Sequence, residues 1–495
     1  MLFLKHLILS KSKYLNGLQC PRLLWVAVRE PNRIQLSDKT KAVFEQGQDV
    51  GALAQQLYRG GITVRGSFSE NLRHTRQVLP LRRTLFEPGF TAPGVYCRLD
   101  ILSPNGKVKW DIIEVKSTTR VKREHLDDVA FQLYVCTLNR LDIGRCFLAH
   151  LNPEYVRRGE ICPDELFLAE DITEEITSST YRIDERIEEM RDIASSDNCP
   201  DGEIGHKCNE PYECPLISEC WAHLPRNHVM TLYRGKQLGE SLIKKGIFRI
   251  ADIDGVMLNN KQAIQHACIL SNEVFLDKES MSHFLKCLKY PLYFMDFETI
   301  NPAIPLFDRT SPYQHIPFQF SVHQVTEEGA SPNHFSFLAD VTGDPRPSFM
   351  AELIDSIGPK GSIIAYNAAF EQNILKECAQ VMPWYGDWIE NSCSRLVDLM
   401  SPFRDFLYYH PDQHGSISLK QVMPALTGIS YEDLPINKGD TASREYLRIN
   451  FGDASEAEQA CTRAHLLQYC CQDTCGMVEM VNKMHGLISQ GTSRV

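Results

Sequence analysis

The sequence predicts a multidomain α/β protein, and three observations carry that expectation. Its 495 residues are too many for one ordinary core; at roughly 150 residues per domain they make about three units. Residues 91–152 hold two strand-like runs separated by a turn and followed by a helical pattern. From about residue 289 to about 490, apolar strand-like runs alternate with helical segments. An apolar fraction of 43% and a charged fraction of 23% are those of a folded globular chain.

Composition narrows the function classes only partly. No run approaches the ~18 apolar residues needed to cross a bilayer. The opening Met1–Leu9 is interrupted by Lys5 and His6 and lacks a small-residue cleavage site, so it is not read as a signal peptide. A cytoplasmic, membrane-free protein is expected. Seventeen cysteines are many for a reduced compartment, where disulfides rarely persist; most can pack as small apolar residues. The net charge of −11 argues against gripping nucleic acid by bulk electrostatics. It leaves a nuclease open, because carboxylate-rich metal sites contribute negative charge that their cations offset.

The first region, residues 1–225, opens with helical periodicity at Leu15, Leu18, Leu23 and Leu24. After the strand-rich centre, Ile172, Ile176, Tyr181, Ile183, Ile187, Met190 and Ile193 predict an amphipathic helix over 172–195. The region ends in the cysteine-dense segment 199–220. Residues 226–288 read as a small connector of short helices broken by glycine. In it, Leu238–Ile247 and Ile250–Ile253 resemble a helix-hairpin-helix-like unit, which binds nucleic-acid backbone through hairpin amides and helix N-termini. A plain helical connector is the alternative. Residues 289–495 form the α/β region, with strands at Tyr290–Phe297 and Ser362–Tyr366 and a last helix over Glu456–Met484. There is no internal repeat and no low-complexity tract.

The first constellation lies in the strand-rich centre. Gly94–Leu102 has strand composition and runs into the turn signal Ser103-Pro104-Asn105-Gly106; Val108–Ser117 reads as the next strand. Side chains alternate along a strand, so Glu114 and Lys116 share a face, and Asp100 reaches that face from the preceding strand. This set suits phosphodiester hydrolysis. Asp100 and Glu114 can hold Mg²⁺ or Mn²⁺ through hard oxygens, which polarises the phosphate and activates water. Lys116 can position that water and balance developing charge. A solvated hairpin with ordinary surface charges is the alternative. With Gln132 and Tyr134 in a helix expected over Leu126–Leu138, Glu114-Val115-Lys116-Ser117 resembles the late motifs of RecB-like PD-(D/E)XK nucleases. Phe44–Gly51 resembles that family's first helix motif. The resemblance implies a restriction-endonuclease-like core with catalytic Asp100, Glu114, Lys116, Gln132 and Tyr134, and Glu87 as an extra acidic contributor. Many relatives carry a histidine in the early helix where this chain has Gln48, Asp49 or their neighbours, which leaves the number of metal ions open.

A second motif is built from thiols. Cys208-x5-Cys214-x5-Cys220 follows the first core, and Cys20 stands far upstream in Leu18-Gln19-Cys20-Pro21-Arg22-Leu23-Leu24-Trp25. Clustered thiolates bind zinc or iron–sulfur clusters, but zinc modules usually space their cysteines more closely. One cysteine near the N-terminus plus three after the core resembles the iron-binding RecB-like nucleases, including the CRISPR-associated ones. That resemblance implies a 4Fe–4S cluster on Cys20, Cys208, Cys214 and Cys220, stapling the ends of the module. Cys199 is the rival for Cys20. Zinc, or four unrelated core cysteines, are the other readings.

The third constellation is acidic. Leu292–Thr299 places Asp296 and Glu298 on one strand face, Ile363–Asn367 leads as a strand into a helix bearing Glu371, and Tyr469 and Asp473 share a helix face four residues apart. In this order the segments resemble the three motifs of DEDD-type 3′–5′ exonucleases, of the subclass carrying tyrosine, which have an RNase H-like fold. The resemblance implies metal ligation by Asp296, Glu298, Glu371 and Asp473, with two ions ~3.5–4 Å apart, and water orientation by Tyr469. Asp398 and Ser418-Leu419-Lys420 echo the family between its second and third motifs, whereas Glu371 departs from its usual aspartate. A catalytically silent domain is the alternative.

The combined expectation is a metal-dependent nuclease acting on DNA, at single strands or ends, with RNA left open. Its rivals are a nucleic-acid-binding repair or defence scaffold with inactive sites, and a cluster-containing redox regulator.

Overall fold

The computed structural model describes residues 7–340 and 342–489; of the apolar opening, Met1–His6 lie outside them. The chain forms two compact units, residues 1–223 with 302–313, and residues 224–301 with 314–495. The 226–288 stretch therefore belongs to the second unit instead of standing as a separate connector.

In the first unit, helices α1 (Lys11–Gln19), α2 (Pro21–Arg29) and α3 (Asp38–Ala54) precede a six-stranded mixed sheet. Its strands β1 (Ile62–Thr63), β2 (Leu85–Phe86), β3 (Ile101–Asn105), β4 (Lys109–Lys116), β5 (Ile143–Leu151) and β6 (Phe167–Asp171) lie in chain order. The pairs β1–β2 and β4–β5 are parallel, which requires a crossover; α4 (Phe68–Val78) and α5 (Arg123–Leu138) supply them. Alternation along β4 sends Trp110 and Ile112 into one core with Val129 and Leu148. Ile113 goes into another with Phe86, Ile101 and Ala149. Tyr14 of α1 stacks on Phe131 of α5 at 4.7 Å between ring centroids. This fixes α1 beside the buried face of the sheet.

Two expectations for this unit change. The strand run over 94–102 breaks at Leu99–Asp100: Val95–Arg98 joins a separate three-stranded sheet with Leu9–Ser10 and Gly89–Ala92, while Ile101 starts β3. The helix over 172–195 splits into Thr173–Ser179 and α6 (Ile183–Ser195), because Arg182 takes the left-handed conformation at φ 58. Residues 302–313 are bound within this unit. Ala303 is buried with Val50, Ala54, Leu151 and Tyr155, and Tyr313 donates its hydroxyl proton to the Ser117 carbonyl.

The second unit begins with α7 (Lys236–Lys244), α8 (Asn260–Ser271) and α9 (Lys278–Lys286). Its sheet comprises β7 (Leu292–Ile300), β8 (Ile316–Val325), β9 (Asn333–Leu338), β10 (Ser362–Ala365) and β11 (Leu396–Asp398), in the order β9-β8-β7-β10-β11. The first three are antiparallel, and β10 and β11 run parallel to β7. Helices α10 (Arg346–Ser356) and α11 (Ala368–Val381) cover one face, packing Phe349, Leu353, Ile374 and Leu375 on Tyr293, Met295 and Phe297 of β7. Strand alternation sends Asp296 and Glu298 to the other face. There α12 (Leu419–Thr427), α13 (Gly439–Phe451) and the 34-residue α14 (Glu456–Ser489) gather. No helix among the described residues is long and apolar enough to cross a membrane.

Candidate active sites

In the first unit, Glu114 is buried on β4, and both its oxygens are engaged. Oε1 accepts from Lys11 at 2.8 Å and Lys116 at 2.6 Å; Oε2 accepts from Gln132 at 2.6 Å. Asp128, one turn before Gln132 on α5, closes the set: it pairs with Lys116 at 2.5 Å and Lys11 at 3.3 Å and accepts from Gln132 at 3.0 Å. Asp100, at the break between the two sheets, accepts the Val115 N–H at 2.8 Å. Ammonium and carboxylate groups thus alternate.

The energetics follow from that alternation. Burial and Asp100 push the Glu114 pKa up, but Lys11 and Lys116 pull harder and hold it below the usual carboxylate range. Burial works against charge on Lys116, yet Asp128 and Glu114 raise its pKa above the ordinary lysine value; Lys11 is raised well above it by Asp128, Glu114 and Asp100. Glu87, at φ 57 just after β2, is raised by burial, with Arg98 and Lys11 opposing.

Asp100, Glu114, Lys116 and Gln132 come together as expected from the sequence. Tyr134 does not join them; it packs on the core with Asp184 and Glu188 of α6 as its charged neighbours. Two residues here had no motif to announce them. Asp128 was recoverable from its four-residue spacing to Gln132 on one helix face. Lys11 was not, since only the packing of α1 brings it in.

The thiols form a second group in this unit. Burial, opposed by the Leu216 N–H, and then the neighbouring Cys20, Cys208 and Cys220 push the Cys214 thiol up to about 11. Cys220 is likewise raised by burial, with Arg22 opposing and Glu219, Cys20 and Cys208 adding to the rise. Cys199 has Arg22, Arg33, Glu30 and Glu219 as its charged neighbours instead. Leu23, Trp25, Val26 and Leu216 form an apolar cluster with Cys214, against which Cys20, Cys199 and Cys220 pack. Hydrogen bonds already tie the early helices to this segment: Gln19 donates to the Lys207 and Tyr212 carbonyls, both at 2.8 Å, and Trp25 to the Ser196 carbonyl at 2.8 Å. Thiols gathered beside an apolar cluster fit a soft cation or an iron–sulfur cluster. Without one, burial favours the protonated thiol at Cys214 and Cys220.

In the second unit, ligand oxygens of Asp296, Glu298 and Asp473 all lie within 4.8 Å of one another. Tyr469 and Asp473 sit one turn apart on α14; Asp473 accepts from the Tyr431 hydroxyl, and Tyr469 also helps to hold down its pKa. The Lys420 ammonium of α12 stands 4.8 Å from the Tyr469 ring centre and 5.4 Å from that of Tyr431. Glu371, in the first turn of α11, is buried, and its Oε2 has no hydrogen-bond partner among the described residues. Burial, then Asp473, pushes the Asp296 pKa well above the carboxylate range; burial, then Asp296, does the same to Glu298 and Glu371. Burial raises Asp473 to about 6. All five residues expected here assemble, and Tyr431, which no motif marked, joins them.

Buried oxygens that repel one another, one of them unpartnered, fit a hard divalent cation. The raised carboxyls carry a stability prediction. A carboxyl whose folded pKa is raised stabilises the fold below its unfolded pKa and ceases to do so as pH rises through the folded value. In a chelator, Asp473→Asn should therefore match wild type in thermal unfolding near pH 4 and exceed it above about pH 6. If these oxygens hold a divalent cation, the order should reverse with Mn²⁺ present, because the variant would lack one ligand. Equal melting at both pH values would contradict the argument that burying the Asp473 charge is costly.

Residues 293–418 match a family described as a domain of unknown function, DUF2779. The match takes in Asp296, Glu298 and Glu371 but ends before Tyr469 and Asp473. Two uncharacterized proteins are similar to parts of the chain. The MG366 homolog of Mycoplasma pneumoniae is 28% identical over 211 residues, 39% of this chain and 32% of that protein. UU173 of Ureaplasma parvum serovar 3 is 27% identical over 169 residues, 32% of this chain and 24% of that protein. The matches thus span about a third or less of those relatives' length. Similarity to the crystal structure of SSO0001 covers 44% of this chain and 87% of that one, at 13% identity and a TM-score of 0.24, too low to argue from.

Proposed function

We propose that this chain is a divalent-metal-dependent nuclease that hydrolyses phosphodiester bonds of DNA, at single strands or ends, with one site in each unit. The first unit is read as a RecB-like PD-(D/E)XK module and the second as a DEDD-type, RNase H-like 3′–5′ exonuclease module. The observation that carries the reading is the convergence of Asp296, Glu298 and Asp473 oxygens within 4.8 Å, beside the unpartnered Glu371. Two further features support it. The strand order β9-β8-β7-β10-β11 is that expected of an RNase H-like sheet, and the β3–β4 hairpin with its crossover to β5 suits a restriction-endonuclease-like core.

Asp296, Glu298, Glu371 and Asp473 are the ligands assigned to Mg²⁺ or Mn²⁺ in the second unit, Asp100 and Glu114 in the first. Bound there, the cation supplies Lewis-acid polarisation of the phosphate and a water of lowered pKa. Tyr469, tethered to Asp473, orients the attacking water. Tyr431 fixes the other side of that carboxylate, and Lys420 offsets negative charge at the scissile phosphate. In the first unit Lys116 holds the attacking water and balances charge, while Gln132 orients Glu114 through its 2.6 Å bond. Cys20, Cys208, Cys214 and Cys220 are assigned to a 4Fe–4S cluster that supports the first module's fold.

The test is end-labelled single- and double-stranded DNA and RNA, incubated anaerobically with Mg²⁺ or Mn²⁺ and with chelator. Metal-dependent shortening of DNA is the expected result. Binding without cleavage of any substrate would favour the scaffold reading instead. Lys116→Ala should slow cleavage at the first site on the order of 10²-fold without releasing substrate, since its task belongs to the transition state. Near-wild-type turnover would assign Lys116 to structural pairing with Asp128.

A further inference from the structure

A second donor cluster in the second unit is chemically unlike the carboxylate site. His323 of β8 and His334 of β9 stand directly opposite each other in the antiparallel register. Cross-strand partners have Cβ atoms about 4.5–5.5 Å apart, so their imidazoles necessarily meet. The rings lie 4.4 Å apart between centroids with 21° between planes. Cys471 of α14 faces them: one ring nitrogen of each histidine and the Cys471 sulfur all lie within 4.8 Å of one another. His323 is buried, Cys471 half-buried and His334 exposed, so the group opens to solvent on one side.

Hydroxyl groups orient both rings. Thr474 Oγ1 pairs with His323 Nδ1 at 2.8 Å, and Ser321 Oγ pairs with His334 Nε2 at 2.9 Å; the two hydroxyls meet at 2.6 Å. The nitrogens outside this relay are Nε2 of His323 and Nδ1 of His334. Fixing one ring nitrogen by a hydrogen bond is how metal-binding histidines are commonly held.

We propose that His323, His334 and Cys471 bind a d-block divalent cation, Zn²⁺ foremost, with solvent completing the coordination. Two imidazoles and a thiolate form a borderline-soft set that selects zinc over the oxygen-seeking Mg²⁺ and Mn²⁺. Tetrahedral ligation at 2.0–2.3 Å sets donors about 3.5 Å apart, so binding needs side-chain rotation that opens the stacked rings, not movement of the strands. Cys471 lies midway between Tyr469 and Asp473 on α14, so the ion ties that helix to β8 and β9. The proposal does not rest on the nuclease reading.

The experiment uses the full-length protein, saturated with Zn²⁺ and dialysed, beside His334→Ala and Cys471→Ser. Because the Cys20 group can also take zinc, the quantity read is the difference between wild type and variants. Elemental analysis should find one equivalent less Zn²⁺ in each variant. In Co²⁺-loaded samples the thiolate-to-cobalt charge-transfer absorbance should fall in both. His334 is exposed, so its replacement leaves the fold intact and the loss reads as loss of a ligand. Equal zinc content and equal cobalt spectra in all three proteins would overturn the site and leave a stacked histidine pair beside an ordinary cysteine.

Discussion

Asp296→Ala is expected to remove end-directed cleavage by the second unit, a loss of at least 10²–10³-fold by comparison with removal of one transition-state donor elsewhere. It should leave cleavage dependent on Glu114 intact. Asp296 is the common neighbour of this site: after burial, its charge is the next cause that raises Glu298 and Glu371, and Asp473 does the same to it. On the proposed reading its removal takes away a cation ligand rather than a peripheral contact. Glu114→Ala should do the converse, since Glu114 is bonded to Lys11, Lys116 and Gln132, all within the first unit. The measurement is the rate of product formation on end-labelled strands for wild type, each single variant and the double variant. If either single change stopped all cleavage in folded protein, two independent sites would be the wrong description, and one composite or strictly sequential site would replace them.

How far these sites could be read from sequence depends on whether a residue's partners are local. Asp296 and Glu298 alternate on a buried strand, and Tyr469 and Asp473 repeat at helical spacing, so each pair announces its own face. Glu114 and Lys116 were legible for the same reason. Lys11 and Tyr431 were not. Lys11 reaches Glu114 through the packing of α1 on α5, and Tyr431 reaches Asp473 from the loop after α12. A solitary lysine or tyrosine carries no periodic signal of such a contact. Tyr134 failed in the opposite direction. Two residues along a helix is about 200°, just over half a turn, so Gln132 and Tyr134 point to opposite faces and cannot both meet one carboxylate.

Fold boundaries show the same division. Strand composition continues through Leu99 and Asp100, so nothing local reveals that the chain changes sheets there. The 226–288 helices looked like an independent connector because their pattern is glycine-broken. Their apolar residues nevertheless pack with distant partners, as where Tyr233 and Cys268 join Phe406 and Tyr409. Periodicity identifies a buried face but not what buries it.

Replacing the cysteines should affect the whole first unit. Cys20→Ser, Cys208→Ser, Cys214→Ser and Cys220→Ser are each expected to lose the brown colour of an iron–sulfur protein and most soluble yield; Cys199→Ser should lose neither. The distinction rests on neighbours. Cys214 and Cys220 both have Cys20 and Cys208 among their neighbours, whereas Cys199, though packed in the same apolar cluster, has Arg22, Arg33, Glu30 and Glu219 as its charged neighbours. Metal–thiolate binding is folding free energy, about 10–16 kcal/mol in small structural zinc sites, set against a net domain stability of about 5–15 kcal/mol. Cys20 is separated from Cys208 by almost the entire first module, so a shared cluster also closes a long loop in the unfolded chain. The Gln19 and Trp25 hydrogen bonds are worth about 1 kcal/mol each and cannot replace it. Absorbance and iron content after anaerobic purification, with soluble yield, decide the matter. Colourless wild-type protein with stoichiometric zinc would overturn the cluster, and full colour in Cys20→Ser would make Cys199 the fourth ligand.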